Sequence, residues 1–224
     1  ENPESTLSQG KRRNPRAAFG LTLEAVRESL SNRVLFLFLV LSLINGMVIM
    51  GLETYWQPYF SGMPGMDENR AFFFSFIMTG TYLAGIAGNS LAPPALRISR
   101  NSHLPVIIFS ALLRILALII LSLSRSPWYG ALIFLTLFFS IGLGGPSLSV
   151  LVNREIPDKL RASMLSVQSL FFFGGCLAGS AISGLILRFL TLARFWAVLA
   201  GLLILALSLY IPLSKALKRR IPHA

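Results

Sequence analysis

VLFLFLVLSLINGMVIMGL, residues 34–52, is a run of 19 residues without a single charge. At a helical rise of about 1.5 Å per residue it reaches about 28 Å, close to the roughly 30 Å of a bilayer's hydrocarbon core. Five further uncharged or nearly uncharged runs follow at 71–92, 104–123, 128–152, 162–187 and 195–213, and the longest has 26 residues. A strand crossing a membrane needs only about 10 residues, alternating in polarity. None of these runs alternates, so the expected fold is all-α, a polytopic membrane protein of six transmembrane helices.

Charge placement gives a second, independent reading. The chain has 224 residues and a formal net charge of +11, with 13% charged and 54% hydrophobic residues. Such a charge on a soluble domain would raise the question of nucleic acid. Here 15 of the 20 basic residues precede the first run, follow the last, or fall in the second and fourth links. Only Arg70, Arg125, Arg188 and Arg194 fall in the odd-numbered links, and Arg114 lies inside the third run. By the positive-inside rule both termini and the even-numbered links are expected on the cytoplasmic side, and an odd number of spans would destroy the segregation. The charge therefore reads as topology, with membrane lipid and not nucleic acid as the surrounding partner.

Four stretches make up the organisation. Residues 1–17 are polar and rich in Pro, Ser, Asn and basic side chains, which predicts a flexible cytoplasmic linker. In 18–33, Phe19, Leu23, Val26 and Leu30 recur at helical spacing against Glu24, Arg27 and Glu28, an amphipathic helix suited to the membrane interface. The bundle occupies 34–213 and a basic cytoplasmic tail 214–224. Asp67 and Glu68 stand in the first external link, and Pro93 and Pro94 are expected to end the second helix, since proline lacks the amide donor. Glu1 in place of Met, and no signal-peptide pattern, suggest a processed chain or a fragment. The single cysteine, Cys176, can form no intrachain disulfide.

Inside the membrane, small residues mark faces where helix backbones approach closely, because lipid tails are as apolar as leucine. Gly80, Ala84 and Gly88 form one such stripe on the second helix, and Gly175, Gly179 and Ser183 another on the fifth. Either tight packing or a surface that slides against a moving partner accounts for them. Gly144, Gly145 and Pro146 in the fourth helix weaken its hydrogen-bond ladder, which fits a static kink or a flexible gating segment.

Polar side chains within spans are costly and point to function. Asn45, Ile49, Glu53 and Trp56 follow one another at spacings of four, four and three, one face of the first helix, and Gln57 adjoins them. An amide, an aliphatic group, a carboxylate and a ring suit an amphipathic or cationic small molecule. Glu53 and Trp56 also fit an external interface with its aromatic belt. Thr136, Ser140 and Gln168 are further candidates for a cavity lining. Arg114, midway along the third run, is expected to have a structural partner inside the bundle, because a central arginine costs about 2.5 to 3.5 kcal/mol on insertion scales.

Four stretches bear comparison with a known family. NREIPDKLRASMLSVQSLFFFGG, residues 153–175, resembles the loop between the tenth and eleventh helices of major facilitator superfamily transporters, which commonly reads Asn, Pro, Arg-Ala-Thr/Ser and Leu-Ser before a glycine-containing helix. ETYWQPYF, residues 53–60, is similar to the outer end of the seventh helix in bacterial drug-efflux-like members. The segment before Val34 is similar to the linker between the two six-helix halves. GNSLAPPALRISRNS, residues 88–102, keeps Gly88, Arg97 and Arg100 of the family's gating motif and lacks its acidic residue.

The resemblance implies the C-terminal half of such a fold, a 3+3 inverted repeat, in the cytoplasmic membrane of a bacterium. It implies a partner, the N-terminal six-helix half of the same transporter, a small-molecule substrate, and a proton gradient in place of a cofactor. Arg97, Arg154 and Arg161 become candidates for gating. The first and fourth helices would line the central cavity, the second and fifth the interface between halves, and the third and sixth the periphery. Efflux driven by proton entry is the leading expectation. Uptake or metabolite export within the family, or a six-helix membrane partner that transports nothing, are the alternatives. An intramembrane protease is disfavoured: AISG, residues 181–184, lacks the first glycine of a Gly-x-Ser-Gly motif, and His103 and His223 lie outside the runs, so no enzyme is expected.

Overall fold

The computed structural model describes residues 15–65 and 70–218, and within them it is helical. Helix α1 spans Pro15–Ser31, α2 Arg33–Ser61, α3 Arg70–Ile98 and α4 His103–Leu123. Then come α5 at Pro127–Glu155, a 3₁₀ turn at Asp158–Leu160, α6 at Arg161–Ile186 and α7 at Leu192–Lys218. Helices α2 to α7 are long and apolar enough to cross a membrane, and the protein is membrane-embedded. The expectations for residues 1–14, for Asp67 and Glu68, for the side chain of Phe19 and for the tail beyond Lys218 lie outside what is described.

Local chemistry sets several of the boundaries. Asn32 has extended backbone and accepts a hydrogen bond from the Val34 amide at 3.0 Å, capping α2 and separating it from α1. Pro127 occupies the first turn of α5, where a missing amide is harmless. Pro93 and Pro94 do not end α3, contrary to expectation; the helix continues to Ile98. The acceptors left without a donor belong to Asn89 and Ser90, both on exposed positions where other partners can reach them. The stop comes later, where Arg100 and Asn101 take left-handed conformations with φ of 52° and 60°. The Asn101 amide donates to Leu96 at 2.9 Å and the Arg100 amide to Arg97 at 3.1 Å, the paired bonds of a Schellman ending built without glycine.

The membrane helices pair in a pattern that survives an exchange of halves. Helix α2 packs most extensively on α6 and α3 on α5, followed by α4 on α5 and on α7, and α2 on α7. Replacing α2, α3, α4 by α5, α6, α7 and the reverse turns this set of contacts into itself. Three spans are an odd number, so the second triplet enters from the opposite face and the repeat is inverted. Glycines make the two main crossings. A Cβ at Gly46 of α2 would overlap the Phe172 carbonyl oxygen of α6, and one at Gly175 would overlap that of Leu43. In the equivalent crossing, a Cβ at Gly142 of α5 would overlap the Gly85 carbonyl oxygen, and one at Gly88 of α3 that of Phe139. The small-residue stripes are thus consumed within the bundle: Gly88, Gly175, Gly179 and Ser183 are buried, and Gly80 faces the Leu135 side chain.

Depth divides the interior into two. Toward the end where α3, α5 and α7 begin, the core is aromatic: Trp56, Tyr59 and Phe60 of α2, Phe73 of α3, Phe134 of α5 and Phe195 and Trp196 of α7. Trp56 stacks on Phe134 with centroids 5.9 Å apart, Phe60 meets Phe73 edge-on at 5.4 Å, and Tyr59 meets Trp196 at 5.3 Å and 88°. Each such pair contributes about 0.5 to 1.5 kcal/mol beyond its buried area. Toward the other end, where α2, α4 and α6 begin, packing is aliphatic and leaves a cavity. Large apolar side chains such as Phe72, Tyr82, Leu83, Ile86, Phe173 and Leu177 remain exposed on the bundle's outside, as lipid contact requires.

Helix α1 lies against α6, α2 and the 3₁₀ turn. It buries small residues. Ala25 and Ser29 have no exposure, and the Ser29 hydroxyl donates to the Ala25 carbonyl at 2.6 Å beside the Met164 sulfur at 3.2 Å. Leu23 and Leu30, which the helical spacing assigns to the apolar face, are 62% and 60% exposed, whereas Val26 of the same face packs against the core around Ala25 and Met164. Lys159 reaches Glu24 at 3.3 Å across this contact.

Candidate functional site

The cavity has a volume of about 290 Å³ and reaches from mid-depth into the half where α2, α4 and α6 begin. Helix α2 contributes Phe38, Leu41, Ser42 and Asn45, and α4 contributes Ile107, Ser110, Ala111 and Arg114. From α5 come Gly144, Gly145 and Leu148, from α6 Gln168 and Phe172, and from α7 Leu203, Ala206 and Tyr210. Both triplets therefore build it. The α5 glycines have distinct effects. A Cβ at Gly144 would overlap the Ser110 hydroxyl, so its absence lets α4 and α5 close up, whereas a Cβ at Gly145 would meet nothing within 4 Å. Pro146 follows on the exposed side without ending the helix.

Among the described residues Arg114 is the only charged one on the cavity wall. Its Nη1 donates to Asn45 Oδ1 at 2.9 Å, joining α4 to α2. Its Nε is buried and has no hydrogen-bond partner among the described residues. The expected structural partner thus exists, but it is a neutral amide that leaves the guanidinium's charge uncompensated. Helix α4 packs against α5 and α7, and its Arg114 lines the cavity.

The face read along α2 is divided by depth. Asn45 lines the large cavity, Ile49 packs against the aromatic core, and Trp56 is buried within it. Glu53 is exposed and borders a separate hollow of about 90 Å³ with Trp56, Thr81 and Phe134. Gln57 is exposed and lines neither space. From Asn45 to Trp56 is 11 residues, about 16 Å of helix, half the thickness of a membrane. One face can therefore run through two environments.

Of the other candidates, Gln168 joins Asn45 at the cavity. The Thr136 hydroxyl donates back to Leu132 at 3.0 Å and that of Ser140 to Leu137 at 2.6 Å, so both serve their own helix. Ser42, Ser110 and Tyr210 line the cavity without having been singled out. Ser42 was within reach of sequence reasoning, standing three residues before Asn45 on the same helix face. Among the gating candidates, Arg97 and Arg154 are exposed in the last turns of α3 and α5. Arg161 pairs with Asp158 at 2.8 Å in the link before α6, and Ala84 is half-buried on α3. Among the described residues no three His, Cys, Asp or Glu side chains converge as metal ligands would. Compared with protein-family models, curated proteins and solved structures, the chain matches none, so the geometry of this cavity and the sequence patterns carry the functional reading.

Proposed function

We propose that this chain is the C-terminal six-helix half of a secondary transporter of the major facilitator superfamily. It works with an N-terminal six-helix half of the same transporter and moves a small molecule by alternating access, with efflux coupled to proton entry. One observation carries the reading: a cavity of about 290 Å³, lined by helices of both triplets, stands on one side of the bundle's mid-depth, while aromatic rings fill most of the interior on the other. Transporters that alternate present a site to one side at a time, at the junction of repeated units. The exchangeable pairing of the two triplets and the loop resemblance at residues 153–175 support the same assignment.

By the positive-inside rule the cavity-bearing end is cytoplasmic, with both termini on that side of a bacterial inner membrane. Glu53, exposed beside the smaller hollow at the opposite end, is placed to meet protons arriving from outside. The test is the natural full-length chain in proteoliposomes carrying an internal pH indicator under an imposed proton gradient. Candidate substrates are expected to raise proton flux, and Glu53→Gln is expected to abolish that rise. Substrate-driven flux unchanged in Glu53→Gln removes Glu53 from coupling. No flux with any of a broad panel of cations, neutral compounds and anions removes the transporter reading itself.

A further inference from the structure

We infer that the cavity takes an organic anion, an acidic headgroup on an apolar body, and that Arg114 holds the acidic group. This rests on the reading of the cavity as a binding site and adds the chemical class of what enters it. A guanidinium midway through a membrane span is costly, by about 2.5 to 3.5 kcal/mol on insertion scales, and a protein ordinarily offsets it with a carboxylate. Among the described residues none lines this cavity. The nearest acid along α2 is Glu53, which borders the separate hollow in the other half of the bundle. Glu24 and Asp158 are engaged at the cavity end's surface, with Lys159 and Arg161.

The hydrogen-bond inventory agrees. A guanidinium carries five N–H donors and no acceptor. The contact with Asn45 Oδ1 at 2.9 Å engages Nη1, while the buried Nε finds no acceptor among the described residues. Asn45 turns its carbonyl oxygen to Arg114, which leaves its amide N–H pair free of that contact. Gln168 and Tyr210 add an amide and a hydroxyl that can donate to the same space. The polar part of the cavity is therefore rich in donors and free of carboxylates, the complement of a carboxylate, sulfonate or phosphate group. A cation would meet Arg114's charge at close range with no neutralising partner. The remaining wall, including Phe38, Leu148, Phe172 and Leu203, suits an apolar body, and about 290 Å³ is close to the lower end of small-molecule pockets.

The experiment uses the natural full-length chain, purified in detergent in low-chloride buffer, with benzoate as probe. Benzyl alcohol and benzyltrimethylammonium serve as neutral and cationic counterparts, and dihexanoyl phosphatidylglycerol as an anionic lipid. Binding is read by calorimetry and by the shift in melting temperature. Benzoate is expected to bind and to raise the melting temperature, and its two counterparts to do neither. Arg114→Gln is expected to weaken benzoate at least about tenfold, as loss of a charge-assisted contact does.

Asn45→Asp is the second variant, since it leaves Arg114 in place and supplies a carboxylate at hydrogen-bond distance. It is expected to remove benzoate binding while the protein stays folded. Benzoate bound equally by wild type and both variants, or a preference for the alcohol or the cation, overturns the proposal. Arg114-dependent binding of the lipid but not of benzoate overturns it for a soluble anion and assigns the site to a lipid headgroup. Binding is measured without a gradient, so absent flux in proteoliposomes with Arg114-dependent benzoate binding sinks only the transport reading. Robust flux with no anion preference sinks only this one.

Discussion

Where α3, α5 and α7 begin, Trp56, Phe60, Phe73, Phe134 and Trp196 fill the interior; where α2, α4 and α6 begin, the same six helices leave a cavity of about 290 Å³ around Arg114. Both halves hang from the same mid-depth crossings, Gly46 with Gly175 and Gly142 with Gly88. The difference therefore lies in side chains and not in how the backbones are arranged. One half maximises ring contacts, and the other keeps an uncompensated charge and empty space that packing alone would eliminate. Proteins tolerate such local departures from good packing where a site requires them.

The contrast predicts unequal sensitivity to substitution. In the aromatic half Phe134, 1% exposed, touches the rings of Trp56, Phe60 and Phe138. Phe134→Ala is expected to cost about 3 to 5 kcal/mol in reversible denaturation from mixed micelles. Leu148→Ala, on the cavity wall, adds space where space already exists and is expected to cost about 1 kcal/mol or less by the same measurement. Equal losses at the two positions would erase the distinction between the halves.

Next in size is Gly46→Val, which drives a branched side chain into the Phe172 carbonyl and is expected to cost about 1 to 3 kcal/mol. Gly145→Ala meets open space and is expected to hold or gain stability, by up to about 1 kcal/mol from helix propensity. A loss of transport in Gly145→Ala at undiminished melting temperature would locate a hinge there.

Arg114→Met separates a ligand-binding arginine from a purely structural one. Removing a charge without a counter-charge is expected to leave stability unchanged or raise it by about 1 kcal/mol, despite the lost bond to Asn45. A clear fall in melting temperature would make Arg114 structural. An effect of similar size is expected at the α3 ending, where Arg100 sits at φ 52°. Arg100→Gly relieves the left-handed strain and is expected to stabilise by about 1 kcal/mol, seen as a modest rise in melting temperature.

The spans were legible because an uncharged run of about 20 residues is longer than a soluble core helix or strand can usually bury, and charge placement counted the spans a second time. Asn45 and Arg114 were both conspicuous as polar groups in apolar runs. Their contact was not, since 69 positions separate them and apolar helix faces do not specify register between distant helices. The α2 face was misleading for a related reason: periodicity identifies a stripe along a helix and is blind to depth. In α1 the rule that large apolar residues turn inward failed, because a tightly apposed helix selects Ala25 and Ser29 and leaves Leu23 and Leu30 outside. The prolines of α3 misled because their orphaned acceptors lie on exposed positions, and the stop depends on backbone geometry at Arg100 and Asn101.

The two halves meet within one helix, which allows a direct test. Ala111 of α4 lines the cavity, and Ala117, six residues on, is buried in the aromatic core with 3% exposure. With Cys176 replaced by Ser, Ala111→Cys and Ala117→Cys are exposed in turn to sulfonatoethyl methanethiosulfonate, a small membrane-impermeant anion, added to either side of oriented vesicles. Rapid modification of Ala111→Cys only from the side where α2 begins, with Ala117→Cys unreactive from both sides, is the predicted result. Equal reactivity at the two positions, or modification of Ala111→Cys only from the opposite side, would contradict a one-sided cavity sealed by aromatic packing.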